Sequence, residues 1–386
     1  FDETIAEQLG QLRSSNLYRS LSTFDSPQQP HVRRGDHDLL GFSSNDYLGI
    51  AHHPTIREAG RQALTDFGAG AGASRLISGT RRPHVELEEA LADFKGTEAS
   101  LTFSTGYAAA TGAICSLVGK GDVVILDKLV HASIVDAAKL SGAHLRVFPH
   151  NDLTRLESRL QWAYKKHPRS RRLIVTESVF SMDGDLAPLR DIADLKDRHG
   201  AWMLVDEAHA TGLFGEGRSG LVQEFGLTGR VEIQMATMGK ALGCSGGAIC
   251  GSRQLVELLI NRARPFIYST APPPAMAAMA RAAVELVRSP EGETRRQRLW
   301  AMVDNLKTML IEVGHSPGIV RSPIIPLILG DEANTMAVAT RLLSDGIHVP
   351  GIRYPTVAKG RARLRLTITA GHTLADLALL RQALEK

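Results

Sequence analysis

Apolar and polar residues follow two different periods along the middle of the chain. Short runs rich in β-branched residues alternate with longer stretches whose apolar residues recur every three or four positions, which predicts strands between helices. The strands are predicted at 123–126, 145–148, 173–176, 202–205, 231–237 and 247–250, with helices near 132–141, 152–163 and 188–199. This order predicts an α/β fold with a mostly parallel central sheet that has helices on both faces.

The two ends of the chain have patterns of their own. Near the start, a helix is predicted over 3–21, and turn-forming residues then break it. Beyond three prolines at 272–274, further helices are predicted at 292–313, 333–343 and 374–384, and strands at 324–329 and 363–369. We therefore expect an N-terminal segment (1–40), a large α/β domain (41–285) and a smaller C-terminal α/β domain (286–386).

Composition narrows the class of protein. The formal net charge of +4 and the pI near 9.0 suit an anionic ligand such as a phosphate or coenzyme A. Nucleic acid is not an expected partner, because charges of both signs are interspersed and the basic run 165–172 contains no aromatic residue. No apolar run approaches the roughly 18 residues of a transmembrane helix, and no secretory signal is visible. Three cysteines without metal or disulfide spacing indicate a cytoplasmic protein without a metal site.

One lysine is distinguished by its neighbours. Lys240 lies between two glycines in the run 237–243, after a predicted strand and before a turn rich in glycine and serine. Glycines let a backbone approach a ligand closely, and a lysine amine forms Schiff bases with carbonyl groups such as that of pyridoxal phosphate. A lysine in an ordinary turn between strands has the same local sequence, so this run alone leaves both interpretations open.

Polar residues recur where the predicted strands end. In a parallel α/β sheet, ligands bind at the carboxyl ends of the strands, so these side chains are expected to meet in one cleft. They are Asp127 and His131, Glu177 and Ser181, Asp206 and His209, and Thr237 and Lys240.

The residue types in this set suit a pyridine cofactor with a phosphate. Asp206 ends an apolar strand, and a buried carboxylate needs a positive partner such as a protonated pyridine nitrogen. His131 can stack on a ring and transfer protons near neutral pH. The small-residue turn at 104–108 leads into a helix, whose free N–H groups bind anions. Each residue alone also fits a structural role, such as a core histidine or a helix cap, but their coincidence at neighbouring strand ends favours the cofactor site.

Residues 206–209 also spell Asp-Glu-Ala-His, the signature of helicase-like ATPases. Such an enzyme needs a phosphate-binding loop of the form G-x-x-x-x-G-K-[S/T]. Neither Gly119-Lys120 nor Gly239-Lys240 continues with serine or threonine. The sequence therefore disfavours a nucleotide-binding ATPase.

Several longer motifs resemble one enzyme family over most of the chain, from Gly41 to His372. They are FSSNDYLG (42–49), GAGASRLISGT (70–80), SVFSMDGDLAPL (178–189), VDEAHATGLFGEGRSG (205–220), TMGKALGCSGG (237–247), YSTAPPP (268–274) and ARLRLTITAGHT (362–373). The chain resembles the α-oxoamine synthases, which are pyridoxal-phosphate enzymes of fold type I, and within them the branch that takes part in biotin biosynthesis.

The resemblance implies a role for each matching residue. Lys240 would hold the cofactor, Asp206 would pair with its pyridine nitrogen, and His131 would stack on the ring and act as an acid. The implied cofactor contacts are completed by His209 and Ser181 beside the ring, by Gly106, Tyr107 and Thr237 at the phosphate, and by Ser269 or Thr270 from a second subunit. The implied substrate contacts are Arg365 at the amino-acid carboxylate and Arg19, Asn45, Ser74 and Thr356 around the acyl chain.

The resemblance also implies an activity and an assembly. The expected reaction is a decarboxylative condensation of L-alanine with a pimeloyl thioester, either of coenzyme A or of a carrier protein. A homodimer with shared active sites is expected. The alternative within the family is a condensation of glycine with a short acyl-CoA.

Overall fold

A computed structural model describes residues 1–15 and 17–386. Helices cover much of its length, and most have several turns. They are α1 (Asp2–Ser14), α2 (Pro54–Phe67), α3 (Arg82–Lys95), α4 (Gly106–Leu117), α5 (Ala132–Leu140), α6 (Leu153–Lys166), α7 (Leu189–Arg198), α8 (Leu221–Glu224), α9 (Arg253–Arg262), α10 (Arg264–Ile267), α11 (Pro274–Arg288), α12 (Pro290–Glu312), α13 (Glu332–Ser344) and α14 (Leu374–Leu384), with a π-helical turn at Arg75–Gly79.

The strands form one large sheet and two small ones. The large sheet has the order β3 (Ala99–Phe103), β9 (Gly247–Gly251), β8 (Ile233–Thr237), β7 (Trp202–Asp206), β6 (Arg172–Glu177), β4 (Val123–Asp127) and β5 (His144–Phe148). One small sheet contains β10 (Ile324–Gly330), β13 (Ala362–Thr367) and β12 (Gly351–Ile352). The other contains β1 (His31–Arg34), β2 (His37–Gly41) and β11 (Ile347–His348).

The large sheet confirms the predicted fold class. Pairing is parallel from β8 through β7, β6 and β4 to β5, whereas β9 runs antiparallel to both β8 and β3. Every residue of β4 and β6 is buried, as expected for strands covered by helices on both faces. The sequence pattern missed β3, because Ser100 and Thr102 interrupt its apolar residues and leave no continuous apolar run like that of β4.

The ends of the chain differ from the prediction in two places. The first helix ends at Ser14, not near residue 21, and none of its residues is buried, so no packing extends it. Residues 31–41 form a hairpin whose second strand, β2, pairs with β11 through Ile347 and Leu40. The pattern missed both strands because most of their residues are charged or histidine, so neither forms an apolar run. The division of the chain at residues 40 and 285 remains a prediction.

The C-terminal strands hold two segments that reach the ends of the central strands. The amide of Thr367 donates to the carbonyl of Phe42, and that of Ala370 donates to the carbonyl of Tyr47. The side chain of Arg363 donates to the carbonyl of Met182 and to Asp183. Segments 42–47 and 181–185 are thereby fixed beside the large sheet, although they lie far from the C-terminal strands in sequence.

Candidate active site

Lys240 follows β8 in a tight turn. The amide of Met238 donates to the carbonyl of Gly246, and that of Gly243 donates to the carbonyl of Lys240 itself. Gly243 has a φ of 62°, and a Cβ there would lie 2.6 Å from the backbone nitrogen of Ala51. Only glycine fits that conformation without strain. The turn geometry therefore requires glycine at position 243, the last residue of the run 237–243.

The amine of Lys240 contacts a buried histidine. Its Nζ lies 2.9 Å from Nε2 of His209, and Nδ1 of the same ring lies 2.6 Å from the hydroxyl of Tyr47. Desolvation in the cleft lowers the pKa of Lys240, although Asp206 and Glu177 act against this effect. Burial also lowers the pKa of His209 well below its usual value, so the ring is neutral. A larger fraction of the Lys240 amine is therefore neutral at physiological pH than in an ordinary lysine.

Arg365 enters the same cluster from β13. Its Nη1 and Nη2 each donate to Oδ1 of Asn45 at 3.3 Å, and its Nε donates to the carbonyl of Ser181 at 2.6 Å. The side chain is buried, and Thr367 accepts a further hydrogen bond from Nη1. No carboxylate pairs with this guanidinium in the described part of the chain, so Arg365 can bind an external one.

Two carboxylates from neighbouring strands face the cluster. Glu177 and Asp206 end β6 and β7 and are register partners. Oδ1 of Asp206 accepts a hydrogen bond from the amide of Ala208. Oδ2 of the same carboxylate has no hydrogen bond to any described residue. Burial, reinforced by the charge of Asp206, raises the pKa of Glu177 to about 8. Its Oε1 is buried and has no hydrogen-bond partner in the described chain.

His131 begins α5 and has one ring nitrogen already engaged. The amide of Ser133 donates to Nδ1 at 3.2 Å, so the neutral ring carries its hydrogen on Nε2. The side chain is exposed, and desolvation, opposed by the nearby Asp206, lowers its pKa. An exposed ring between these charged groups and solvent has a free face for stacking.

A group of backbone donors lies at the start of α4. Thr105 caps this helix by accepting from the amide of Ala108, which leaves the first-turn amides of Gly106 and Tyr107 pointing outward. A Cβ on Gly106 would lie 2.7 Å from Cγ2 of Thr237, so only glycine permits this approach. Thr237 Oγ1 is buried without a partner in the described chain. The side-chain hydroxyl of Tyr107 instead donates to Asp136, so the backbone of Tyr107 is its contribution here.

The remaining predicted residues lie in two other places. Ser74 forms an isolated antiparallel bridge with Thr270, next to Ser269. Arg19 and Thr356 are exposed and flank a surface cavity of about 820 Å³ that Tyr18 and Arg353 help to line. No hydrogen bond joins these five predicted residues to the Lys240 cluster within the described chain. Ser181, by contrast, is buried, and its carbonyl accepts a hydrogen bond from Arg365 of the cluster.

Comparison with known proteins identifies the family of this chain. The sequence profile of aminotransferase class I and II matches residues 37–384. The 8-amino-7-oxononanoate synthase of Geobacter sulfurreducens is 47% identical over 97% of this chain and 95% of that protein. The same enzyme of Symbiobacterium thermophilum is 43% identical over 97% and 94%. The chain belongs to the 8-amino-7-oxononanoate synthase family.

Solved structures agree with the family. Serine palmitoyltransferase from S. paucimobilis, with a bound PLP–myriocin aldimine, matches with a TM-score of 0.92 at 32% identity, covering 100% of this chain and 96% of that one. The 8-amino-7-oxononanoate synthase of Francisella tularensis matches with a TM-score of 0.76 at 25% identity, covering 90% and 97%. The predicted recognition, enzyme class and cofactor are confirmed: the chain is a pyridoxal-phosphate acyltransferase of this family.

The residues of the cleft fit this cofactor. The unpartnered Thr237 hydroxyl and the amides of residues 106 and 107 suit a phosphate. The open Oδ2 of Asp206 suits a protonated ring nitrogen, and the amine of Lys240 suits an aldehyde. Among the described residues, no helix is long and apolar enough to span a membrane.

Two buried residues of the cleft have no predicted role. Tyr47 lies within the FSSNDYLG motif, and Glu177 is predicted to reach the cleft only as a residue at a strand end, because the burial that makes both important is not visible in sequence. Glu207, in the Asp-Glu-Ala-His run, forms a fully buried ion pair with Lys95 at 2.9 Å. A carboxylate so engaged does not resemble a magnesium ligand of an ATPase, in agreement with the family.

Proposed function

We propose that this enzyme condenses L-alanine with a pimeloyl thioester, with loss of CO2, to give 8-amino-7-oxononanoate. The observation that carries the proposal is the cluster in which the amine of Lys240 and the guanidinium of Arg365 both reach one cleft. An α-amino acid needs a cation for its carboxylate and a base for its α-hydrogen in the same cleft. The names of the relatives support the biotin-pathway branch.

Lys240 and Arg365 act on the amino acid. Arg365 binds its carboxylate through two parallel N–H groups once Asn45 releases them. Lys240 holds the cofactor, is displaced by the substrate amine and then takes the α-hydrogen, because its lowered pKa keeps a lone pair available. When bound, pyridoxal phosphate draws electrons from the α-carbon and so makes its hydrogen acidic.

The surrounding residues hold the ring and the thioester. When the cofactor is bound, Asp206 would keep its pyridine nitrogen protonated, and His209 and Ser181 would contact the ring. His131 stacks on the ring and donates its Nε2 hydrogen towards the thioester carbonyl. Gly106, Tyr107 and Thr237 bind the phosphate of the cofactor.

The outlying residues fit a dimer with shared sites. Ser269 and Thr270 reach the cofactor phosphate of the neighbouring subunit, and the hydrophobic side chains of Ile77 and Tyr268 nearby are 80% and 70% exposed. Arg19, Asn45, Ser74 and Thr356 line the path of the acyl chain, whose thiol is coenzyme A or a carrier protein. Free thiols at all three cysteines support a cytoplasmic enzyme.

A substrate panel tests the reaction. L-Alanine, glycine and L-serine are each combined with pimeloyl-CoA, acetyl-CoA, succinyl-CoA and palmitoyl-CoA, and thiol release and product mass are measured. L-Alanine with pimeloyl-CoA should give the highest kcat/KM and a product of the mass of 8-amino-7-oxononanoate. A higher kcat/KM for another pair would contradict the proposal, and Lys240→Ala serves as the inactive control.

A second candidate is the condensation of a different amino acid with another acyl-CoA. It is favoured by one observation, the TM-score of 0.92 with serine palmitoyltransferase against 0.76 with the Francisella enzyme. The family alternative of glycine with a short acyl-CoA uses the same residues. The panel distinguishes these pairs directly, because each leaves a product of different mass.

A further inference from the structure

A continuous chain of hydrogen bonds joins Arg365 to Lys240. The two terminal nitrogens of Arg365 lie 3.3 Å from Oδ1 of Asn45, and the hydroxyl of Tyr47 lies 3.2 Å from the same oxygen. The hydroxyl also lies 2.6 Å from Nδ1 of His209, whose Nε2 is 2.9 Å from the Lys240 amine. The chain therefore links the group proposed to bind the substrate carboxylate with the group proposed to take its α-hydrogen.

The hydroxyl of Tyr47 has one hydrogen and two neighbours that can accept it. Arginine only donates, so Asn45 must present its oxygen to Arg365, and that oxygen also only accepts. If Tyr47 donates to His209, the ring hydrogen is on Nε2 and is donated to the Lys240 amine. If Tyr47 donates to Asn45, the ring hydrogen is on Nδ1, and Nε2 accepts an N–H of Lys240. Both arrangements contain the same number of hydrogens and interconvert by exchange with solvent.

Burial keeps the number of hydrogens in this chain fixed. Desolvation raises the pKa of Tyr47 to about 12, so its hydroxyl stays protonated. Desolvation lowers the pKa of His209 well below its usual value, so the ring stays neutral and has a single N–H. Neither Tyr47 nor His209 therefore changes its number of hydrogens. Which of the two arrangements forms depends on the groups at the ends of the chain, Arg365 and Lys240.

A carboxylate at Arg365 changes one of those ends. Bonds from a guanidinium to a carboxylate are stronger than bonds to a neutral amide, so the ligand takes the donors that Asn45 now accepts. The oxygen of Asn45 then accepts from Tyr47 instead, which places the ring hydrogen of His209 on Nδ1. Lys240 then donates one N–H to Nε2 and keeps its lone pair free for the α-hydrogen, and the ammonium formed keeps the same acceptor.

We propose that Asn45 and Tyr47 are positioning residues that report a bound carboxylate at Arg365 to Lys240, by setting which ring nitrogen of His209 carries the hydrogen. This proposal rests on the proposed function. The other charged and titratable groups that face this part of the cleft stay unchanged in the variants tested below; they are His131, Glu177, Asp206 and Arg365.

The test compares two amines on the cofactor-loaded, full-length enzyme with 15N-labelled histidine. L-Alanine and ethylamine can both displace Lys240 from the cofactor, but only L-alanine has a carboxylate for Arg365. The 15N chemical shifts report the tautomer of His209, whose signals are assigned by their loss in His209→Gln. We expect the Nδ1–H tautomer with L-alanine and the Nε2–H tautomer with ethylamine. In Tyr47→Phe, both amines should give the same tautomer.

Kinetics provide a second readout. Tyr47→Phe keeps the ring volume, so its thermal unfolding and cofactor absorption should match the unchanged enzyme. Because the hydroxyl directs proton transfer, kcat should fall by about 10- to 100-fold with KM for L-alanine unchanged. A purely structural role predicts instead a lowered unfolding temperature or a raised KM.

Two results would overturn the proposal. One is the same His209 tautomer with both amines in the unchanged enzyme, and the other is a tautomer difference that survives in Tyr47→Phe. If borohydride leaves Lys240 of the loaded enzyme unmodified, Lys240 does not hold the cofactor and the proposed function falls as well. If L-alanine alters the band but no thioester is condensed with it, only the proposed reaction fails, and the tautomers still decide this inference.

Discussion

Two lysines lie near the end of β7 in opposite situations. Lys95 is fully buried, and its ammonium has three acceptors: Glu207 at 2.9 Å, the hydroxyl of Thr211 at 2.9 Å and the carbonyl of Ser219. Lys240 contacts a neutral ring nitrogen of His209, and its pKa is lowered. An ammonium makes three hydrogen bonds at most, so Lys95 is satisfied as a cation and Lys240 is not.

The neighbouring carboxylates show the same contrast. Glu207 accepts from Lys95 and from the amide of Val222, so both of its oxygens are bonded. Glu177, one strand away, has an unpartnered Oε1, and Thr237 has an unpartnered hydroxyl. Burial is common to both regions, and the difference lies in hydrogen bonding. The unpartnered groups of Glu177 and Thr237 lie beside Asp206 and Lys240, where a bound ligand can supply the missing hydrogen bonds.

The largest expected effect comes from Lys240→Ala. Because this variant removes both the cofactor anchor and the base, turnover should fall by at least about 10⁴-fold. The unfolding temperature should stay close to that of the parent, and borohydride should no longer fix the cofactor on the chain, as measured by peptide mass. Lys120→Ala, at an exposed lysine, is the matched control and should keep full activity. Turnover near the parent level in Lys240→Ala would contradict the reactive role of Lys240 that distinguishes it from Lys95.

The converse change is Lys95→Met, which should act on stability. It leaves Glu207 buried without its cation, and breaking such a pair costs about 3–5 kcal/mol of unfolding free energy. Urea unfolding followed by circular dichroism measures this loss. The double variant Lys95→Met/Glu207→Gln should recover most of it, since no buried charge then remains. A single variant as stable as the parent would contradict the structural role of Lys95.

A smaller effect is expected from Arg365→Lys. A lysine keeps the charge but loses the two parallel N–H groups, so KM for L-alanine should rise by about 10- to 100-fold, equivalent to the roughly 1.5–3 kcal/mol of a bond to a charged group. Arg363→Lys is the control on the same strand, because Arg363 is already paired with Asp183. That control should leave KM unchanged. If both substitutions raised KM equally, the pairing of Arg363 with Asp183 would not distinguish the two arginines, and Arg365 would have no special role in binding L-alanine.

A pH-dependent effect is expected from Glu177. Its pKa in the folded state is about 8, against 4.5 ordinarily, so the folded protein binds more protons than the unfolded chain between these values. Unfolding free energy should therefore fall as pH rises from about 4.5 to 8, and Glu177→Gln should flatten that slope. Urea midpoints of cofactor-free protein at several pH values measure it. An unchanged slope in the variant would assign the dependence to another group.

The strand ends of this cleft could be predicted because they depend on local patterns. Apolar runs located β4, β6, β7 and β8, and the polar residues after β6, β7 and β8 meet as parallel topology requires. Asp127 at the end of β4 differs from the prediction, because its carboxylate accepts from the amides of Leu129 and Asn151 and pairs with His150. Lys240, His209 and Arg365 are brought together as expected, although the roles assigned to them remain proposals. The fold class and family were also predicted correctly.

Other features depend on contacts that no local pattern contains. Tyr47 and His209 are 162 residues apart and meet only because the C-terminal strands fix segment 42–47. Glu88 on α3 forms a bidentate pair with Arg75, and no local pattern links these two residues. The hairpin β1–β2 contains few apolar residues, and its strand β2 pairs with β11 from a distant part of the chain. In each case, tertiary packing decides what the sequence leaves open.

The bonds from Thr367 to Phe42 and from Ala370 to Tyr47 also have a consequence for synthesis on the ribosome. The central strands are complete when residue 251 has been made, yet Arg365 and the support of segment 42–47 come more than a hundred residues later. A growing chain can build the large sheet while its cleft is still open on one side. The cleft around Lys240 therefore lacks Arg365 until the C-terminal strands have been made.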